Sequence, residues 1–197
     1  MAIKAAPYKQ CPERSDYMIS VPSGALTIVA ANGPLWSMQW TSTSLICVVK
    51  RVKLSLGVTT AFTTAQTVHL GLYFARAYTV ADTGGTAATL TTNNGKLDTS
   101  YPTTVLTDLR MCTTGALTPG TRTLDAQSLD VGVFACSAIG AAGDVEMQFG
   151  LTPSRQEIIL RQNEGLVLHN LTTMGVVGVV RLTVTLEWAE VPSSSVK

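Results

Sequence analysis

Arg181–Trp188 reads RLTVTLEW, and its alternation is strict. Leu182, Val184, Leu186 and Trp188 fall on one side, with Arg181, Thr183, Thr185 and Glu187 on the other. A period of two is the mark of a strand with one face buried and one face outward. The same period recurs upstream. Trp36, Met38 and Trp40 oppose Ser37 and Gln39, and Val68, Leu70, Leu72 and Phe74 share a face. Val145, Met147, Phe149 and Leu151 point inward against Asp144, Glu146 and Gln148. In SLICVVKRVKLSLG, Ile46, Val48, Val52, Leu54 and Leu56 share a face, and Lys50 interrupts the pattern.

No stretch of ten or more residues carries a helical period. Turn chemistry separates the strands at DTGG (82–85), NNG (93–95) and LTPGT (117–121). IILRQ-NEG-LVLHN reads as a hairpin in which Gly165 takes a left-handed conformation. Threonine, whose branched Cβ suits a pleated surface, occurs 28 times. The expected fold is all-β, a jelly-roll-like antiparallel β-sandwich with an extended N-terminal arm. Residues 1–20 form the arm, 21–191 a single domain, and 192–197 a short polar tail. A Thr-, Gly- and Asn-rich stretch near 79–104 is an excursion, held down by Leu90 and Leu97.

Composition narrows function. Charged residues are 14% of the chain, hydrophobic residues 46%, and mean hydropathy is +0.26, which excludes disorder. A net charge of +1 removes the basic excess of most nucleic-acid binders. Arg51 and Lys53 form only a small basic spot on one strand face, without interleaved aromatics. The N-terminus has no apolar segment of the secretory kind, so the protein is expected to remain in the cytoplasm where it is made until it is assembled. No apolar run is long enough to span a membrane. Cys11, Cys47, Cys112 and Cys136 are widely spaced and read as free, buried thiols.

Catalytic signatures are weak. His69 and His169 each lie inside a strand-like run. Asp144 and Glu146 read as a solvated face, and Asp125 and Asp130 as turn residues. No P-loop, nucleophile elbow or metal-ligand spacing is found. No catalytic residue, cofactor or metal is therefore expected.

Three stretches, FARAYTVADTGGTAATLTTNNGKLDTS (74–100), ALTPGTRTLDAQ (116–127) and QNEGLVLHN…VVRLTVTLEWAEV (162–191), resemble small virion proteins of tailed phages. Members tend to end in a Glu-Gly turn, an apolar strand and an acidic Glu-Trp close, here Glu164-Gly165 and Glu187-Trp188. The likeness spans mostly residues 45–191 and points to the cement, or decoration, proteins of phage heads. It implies a jelly-roll-like structural protein on the capsid surface that binds the major capsid protein. A homo-oligomer, dimer or trimer, is expected, without membrane or direct nucleic-acid contact. Partner contacts are expected from the arm (Lys4, Tyr8, Lys9, Arg14, Tyr17), the excursion (Asn93, Asn94, Lys96) and the Arg51–Lys53 spot. An alternative is a tail- or fibre-associated module that binds a receptor glycan through exposed Trp36 and Trp40. A hydrolase is the third reading, and it needs a histidine converging with a serine and a carboxylate.

Overall fold

The structure, a computed structural model, describes residues 14–27, 29–91, 94–136, 138–149 and 157–195. Among these residues there is no α-helix, and the strands form two antiparallel sheets of five and seven. The first sheet runs β1 (Ser15–Pro22), β12 (Val179–Pro192), β3 (Leu45–Thr60). Strands β9 (Ala142–Gln148) and β10 (Ile158–Leu160) share the far edge of β3. The second sheet runs β5 (Thr86–Ala87), β6 (Asp108–Met111), β2 (Gly33–Trp40), β11 (Glu164–Asn170), β4 (Gln66–Val80). Strands β7 (Thr121–Leu124) and β8 (Asp130–Cys136) share the far edge of β4.

The alternating apolar residues of both sheets meet in one core. Leu182, Val184 and Leu186 of β12 lie opposite Leu56, Leu54 and Val52 of β3. The second sheet adds Trp36, Met38 and Trp40 from β2, Val68, Leu70, Leu72 and Phe74 from β4, and Leu166 and Leu168 from β11. Burial of this apolar surface is the dominant force holding the sheets together.

Four expectations need correction. Ile46 and Val48 do not share a face with Val52, Leu54 and Leu56. Glu187 pairs with Arg51 but Trp188 pairs with Val49, so Lys50 is the extra residue of a β-bulge. The bulge reverses the parity of β3. Cys47 and Val49 enter the main core, while Ile46 and Val48 join Ala189 and Val191 in a separate buried cluster on the other face.

The segment around Asn163 is not a hairpin. Residues before it pair with β3 in one sheet, and residues after it pair with β2 and β4 in the other. The turn carries the chain between sheets, and Asn163, at φ 61°, takes the left-handed conformation. Gly165 serves a different need. A Cβ there would lie 2.1 Å from the carbonyl oxygen of Met38.

The arm also ends earlier than its composition suggests. Ser15 through Ser20 belong to β1 and pair along β12. Residues 1–13 lie outside the described residues. Finally, Leu90 packs against the core as expected, but the Leu97 side chain is 52% exposed and takes no part in the core.

Candidate docking surfaces

Strand β1 has a neighbouring strand, β12, on one edge only. On its other edge the Met18 N–H donates to the Gly95 carbonyl (2.7 Å), and the Leu97 N–H donates to the Asp16 carbonyl (3.1 Å). Further along, the edge is open. The N–H of Ser20 faces the same way as that of Met18, because alternate residues of a strand point to the same side, and it finds no partner among the described residues. Facing this edge is Thr86–Thr89, and between the two lies a hollow of about 690 Å³. Ile19, Val21, Ala87 and Ala88 give it apolar walls, and Ser20 and Asn94 give it polar ones. An unpaired strand edge beside such a groove can accept an extended segment of another chain.

Buried side chains fix both ends of the 79–104 excursion. At its start Asp82 pairs with Arg122 inside the protein, and the Gly120 N–H donates to Asp82 Oδ1 (2.9 Å). The Asp82 N–H donates to the Tyr78 hydroxyl (3.2 Å). Desolvation lowers the pKa of Arg122 from its ordinary value, partly offset by Tyr78. Just past its end, Glu190 is buried and accepts from the Thr104 hydroxyl, the Val105 N–H (3.1 Å) and the Trp188 indole N–H (3.3 Å). Burial pushes the Glu190 carboxyl above the usual range, while those donors pull the other way. Between the anchors, Thr83–Ala87 and Leu97–Ser100 are exposed.

The residues singled out from sequence disperse. Tyr17, Trp36 and Trp40 are fully buried and offer no contact surface, so Trp36 and Trp40 do not form the exposed pair expected of a glycan-binding module. Arg51 and Lys53 do lie on one outward face, but in a ladder of opposite charges. Arg51 pairs with Glu146 (3.1 Å) and Glu187 (3.2 Å), and Lys53 with Asp144 (3.0 Å). Arg14 pairs with Asp16 (3.0 Å), which also meets Lys50 (2.9 Å). The basic spot is neutralised by its neighbours. Lys96 sits opposite Tyr17 in an isolated bridge, and the Asn94 side chain donates to the Thr89 carbonyl (2.8 Å). Lys4, Tyr8, Lys9 and Asn93 lie outside the described residues.

His69 and His169 lie on one outward face of the paired strands β4 and β11, and among the described residues neither hydrogen-bonds a carboxylate or a serine. His69 Nε2 hydrogen-bonds Thr67 Oγ1 (3.0 Å) at the surface. His169 packs against Tyr73, and burial with some help from Arg122 lowers its pKa to about 4. It is thus neutral at physiological pH. Cys47, Cys112 and Cys136 are free and buried, and burial pushes all three thiols up, Cys112 to about 12. Cys11 lies outside the described residues. No cluster of three or more metal-ligating side chains occurs among the described residues.

Sequence reading missed the two anchors. LTPGT and its neighbours read only as a turn, and nothing local says that Arg122 and Asp82 meet. Glu190 carried one faint signal, an acidic residue between the apolar Ala189 and Val191. No protein-family model matches the chain, and no curated protein is significantly similar to it.

Proposed function

We propose that this chain is a non-enzymatic structural protein of a tailed-phage virion, a cement protein that docks on the outer face of the assembled capsid. Its partner is the major capsid protein, and its place is the capsid surface after synthesis in the host cytoplasm. The observation that carries the reading is the open edge of β1 beside the exposed runs Thr83–Ala87 and Leu97–Ser100. Two surfaces suited to lying along another chain adjoin each other there, one offering backbone hydrogen bonds and the other hydroxyls.

The strand pairing supports a jelly-roll sandwich. The principal strands nest as β1 with β12, β2 with β11, β3 with β9 and β4 with β8. Winding one long hairpin into two facing sheets gives this order. Such a fold presents flat faces and strand edges, and many weak contacts repeated over a lattice suffice. Each copy binds the assembled shell and not free subunits, so its binding free energy stabilises the shell by linkage. Oligomers multiply that effect.

The test mixes purified protein with expanded and unexpanded empty shells and counts bound copies. Ser20→Pro removes the outward N–H of an edge strand while leaving the pairing to β12, a substitution edge strands tolerate. Deletion of residues 2–13 spares β1. Saturable binding to expanded shells, weakened by either change, is expected. Protein that ignores shells, or is missing from purified virions, sinks the proposal.

A further inference from the structure

Among the described residues, one end of the molecule carries no charged side chain. The sequence has no Asp, Glu, Lys or Arg between Asp16 and Lys50, between Lys53 and Arg76, between Asp130 and Asp144, or between Glu164 and Arg181. Four connections within those stretches, around residues 23–27 and 29–32, 61–65, 138–141 and 171–178, emerge side by side. Thr60 of β3 lies opposite Val179, Gln66 opposite Cys136, and Leu26 bridges to Val180. The connections are also tied together. The Met174 N–H donates to the Val29 carbonyl (2.9 Å), the Gly175 N–H to Gln66 Oε1 (3.0 Å), and the Gly140 N–H to the Val58 carbonyl (3.0 Å). Arg181, opposite Gly57, is the first charge met on β12 on leaving this end.

This end exposes the three most exposed large apolar side chains among the described residues. Ile139 is 70% exposed, Val176 76% and Val177 59%. Beside them is a hollow of about 340 Å³ lined by Phe62, residues 63–66 and Gly175–Val177. Phe62 lies directly on the backbone of Gly178, where a Cβ would come within 2.0 Å of its ring. A projecting isoleucine and an apolar hollow therefore stand on neighbouring connections of one end.

The charge distribution selects the occupant. Around a rotation axis each residue near the centre meets its own copy, so any charge there faces a like charge. Like-charge contact costs several kcal/mol, and interface cores are depleted of charge for that reason. The uncharged end is the region that an axis can cross freely. A bilayer fits less well, since membrane-docking loops carry Lys, Arg, Trp or Tyr to hold the headgroup region, and these connections have none. A charged partner would find nothing to pair with. We infer that the uncharged end is a self-association face, on which Ile139 of one copy enters the hollow beside Phe62 of the next around a rotation axis. This assignment stands whether or not the chain binds a shell.

Sedimentation of the full chain, without shells, tests it. The wild type should form a closed oligomer. Ile139→Asp and Val176→Asp, each at an exposed position and each checked for an unchanged melting curve, should weaken association by roughly 100-fold, the effect of leaving a charge unpaired in an interface. Equimolar I139D and V176D should recover a dimer, because one supplies an intact hollow and the other an intact isoleucine. A monomeric wild type, an oligomer indifferent to either substitution, or variants that fail to complement each other overturns the inference. So does a wild type that stays monomeric and floats with neutral phosphatidylcholine vesicles, which would make the occupant a bilayer.

Discussion

Tyr17 lies nearly flat against Trp188, with ring centroids 5.3 Å apart and planes 19° from parallel. The first strand and the last are thereby joined through their rings as well as their backbones. The Tyr17 hydroxyl donates to the Pro102 carbonyl (3.0 Å), so the same side chain also holds the far end of the excursion. Tyr17→Ala should cost about 3 kcal/mol, as for other buried aromatics, and Tyr17→Phe about 1 kcal/mol for the lost hydrogen bond. Urea denaturation reads both. Burial and the nearby Glu190 push the phenol up to about 12, so in a spectroscopic titration of the native protein Tyr17 should stay protonated as pH passes 10.

Glu190 gives the protein a pH signature. Its folded-state pKa is raised above the ordinary 4.5, chiefly by burial. The folded form therefore holds its proton to higher pH than the unfolded chain does. Its contribution to stability is full below the ordinary value and is lost as pH rises through the folded value. Relative to Glu190→Gln, the wild type should gain stability as pH falls from neutrality toward about 4.5. Denaturation midpoints of the two proteins at several pH values measure this, and parallel curves contradict it.

Much of the fold was legible because burial on one face writes a period of two into the chain. RLTVTLEW and VHLGLYF fold as their patterns require. The failures have local causes. At Lys50 a single extra residue reverses parity, and an interrupted pattern does not reveal on which side it resumes. Trp36 and Trp40 were legible as a stripe, but Ser37 and Gln39 on the opposite face are buried as well, so polarity there did not mark the solvent side. The Asp82–Arg122 and Thr104–Glu190 contacts join residues far apart in sequence, and no local pattern encodes them.

The bulge makes a sharp prediction about deletions. Removing Lys50 makes the pairing of β3 with β12 regular, with Val49 still opposite Trp188 and Arg51 still opposite Glu187. The faces are preserved, so the variant should fold, losing the ion pairs to Asp16 and Glu187. Removing Ser55, from a regular stretch, turns neighbouring side chains over and drives Lys53 toward the core. That variant should not fold. Circular dichroism and one-dimensional NMR separate the two, and equal behaviour would refute the bulge assignment.

The thiols should be silent in the native protein. Thiolate is the reactive form, and burial raises the pKa of Cys47, Cys112 and Cys136. With Cys11→Ser in place, Ellman's reagent at pH 8 should label nothing natively and every remaining cysteine in denaturant. Rapid native labelling would show that the core opens.

Arg122 and Asp82 should behave as one unit. Both side chains are withdrawn from water, at 4% and 0% exposure, so losing either leaves an uncompensated charge inside. Asp82→Asn and Arg122→Met should each cost about 3 kcal/mol. The double variant leaves no buried charge, and its asparagine still accepts from the Gly120 N–H. It should therefore cost less than the sum, with a coupling of about 2 kcal/mol. The effect should reach the surface too, because Asp82 holds the turn from which the exposed 83–87 stretch departs. In shell-binding assays the single variants should lose occupancy and the double variant should regain part of it. Additive stabilities would mean that each side chain is held by its other neighbours and that the pair does not anchor the excursion.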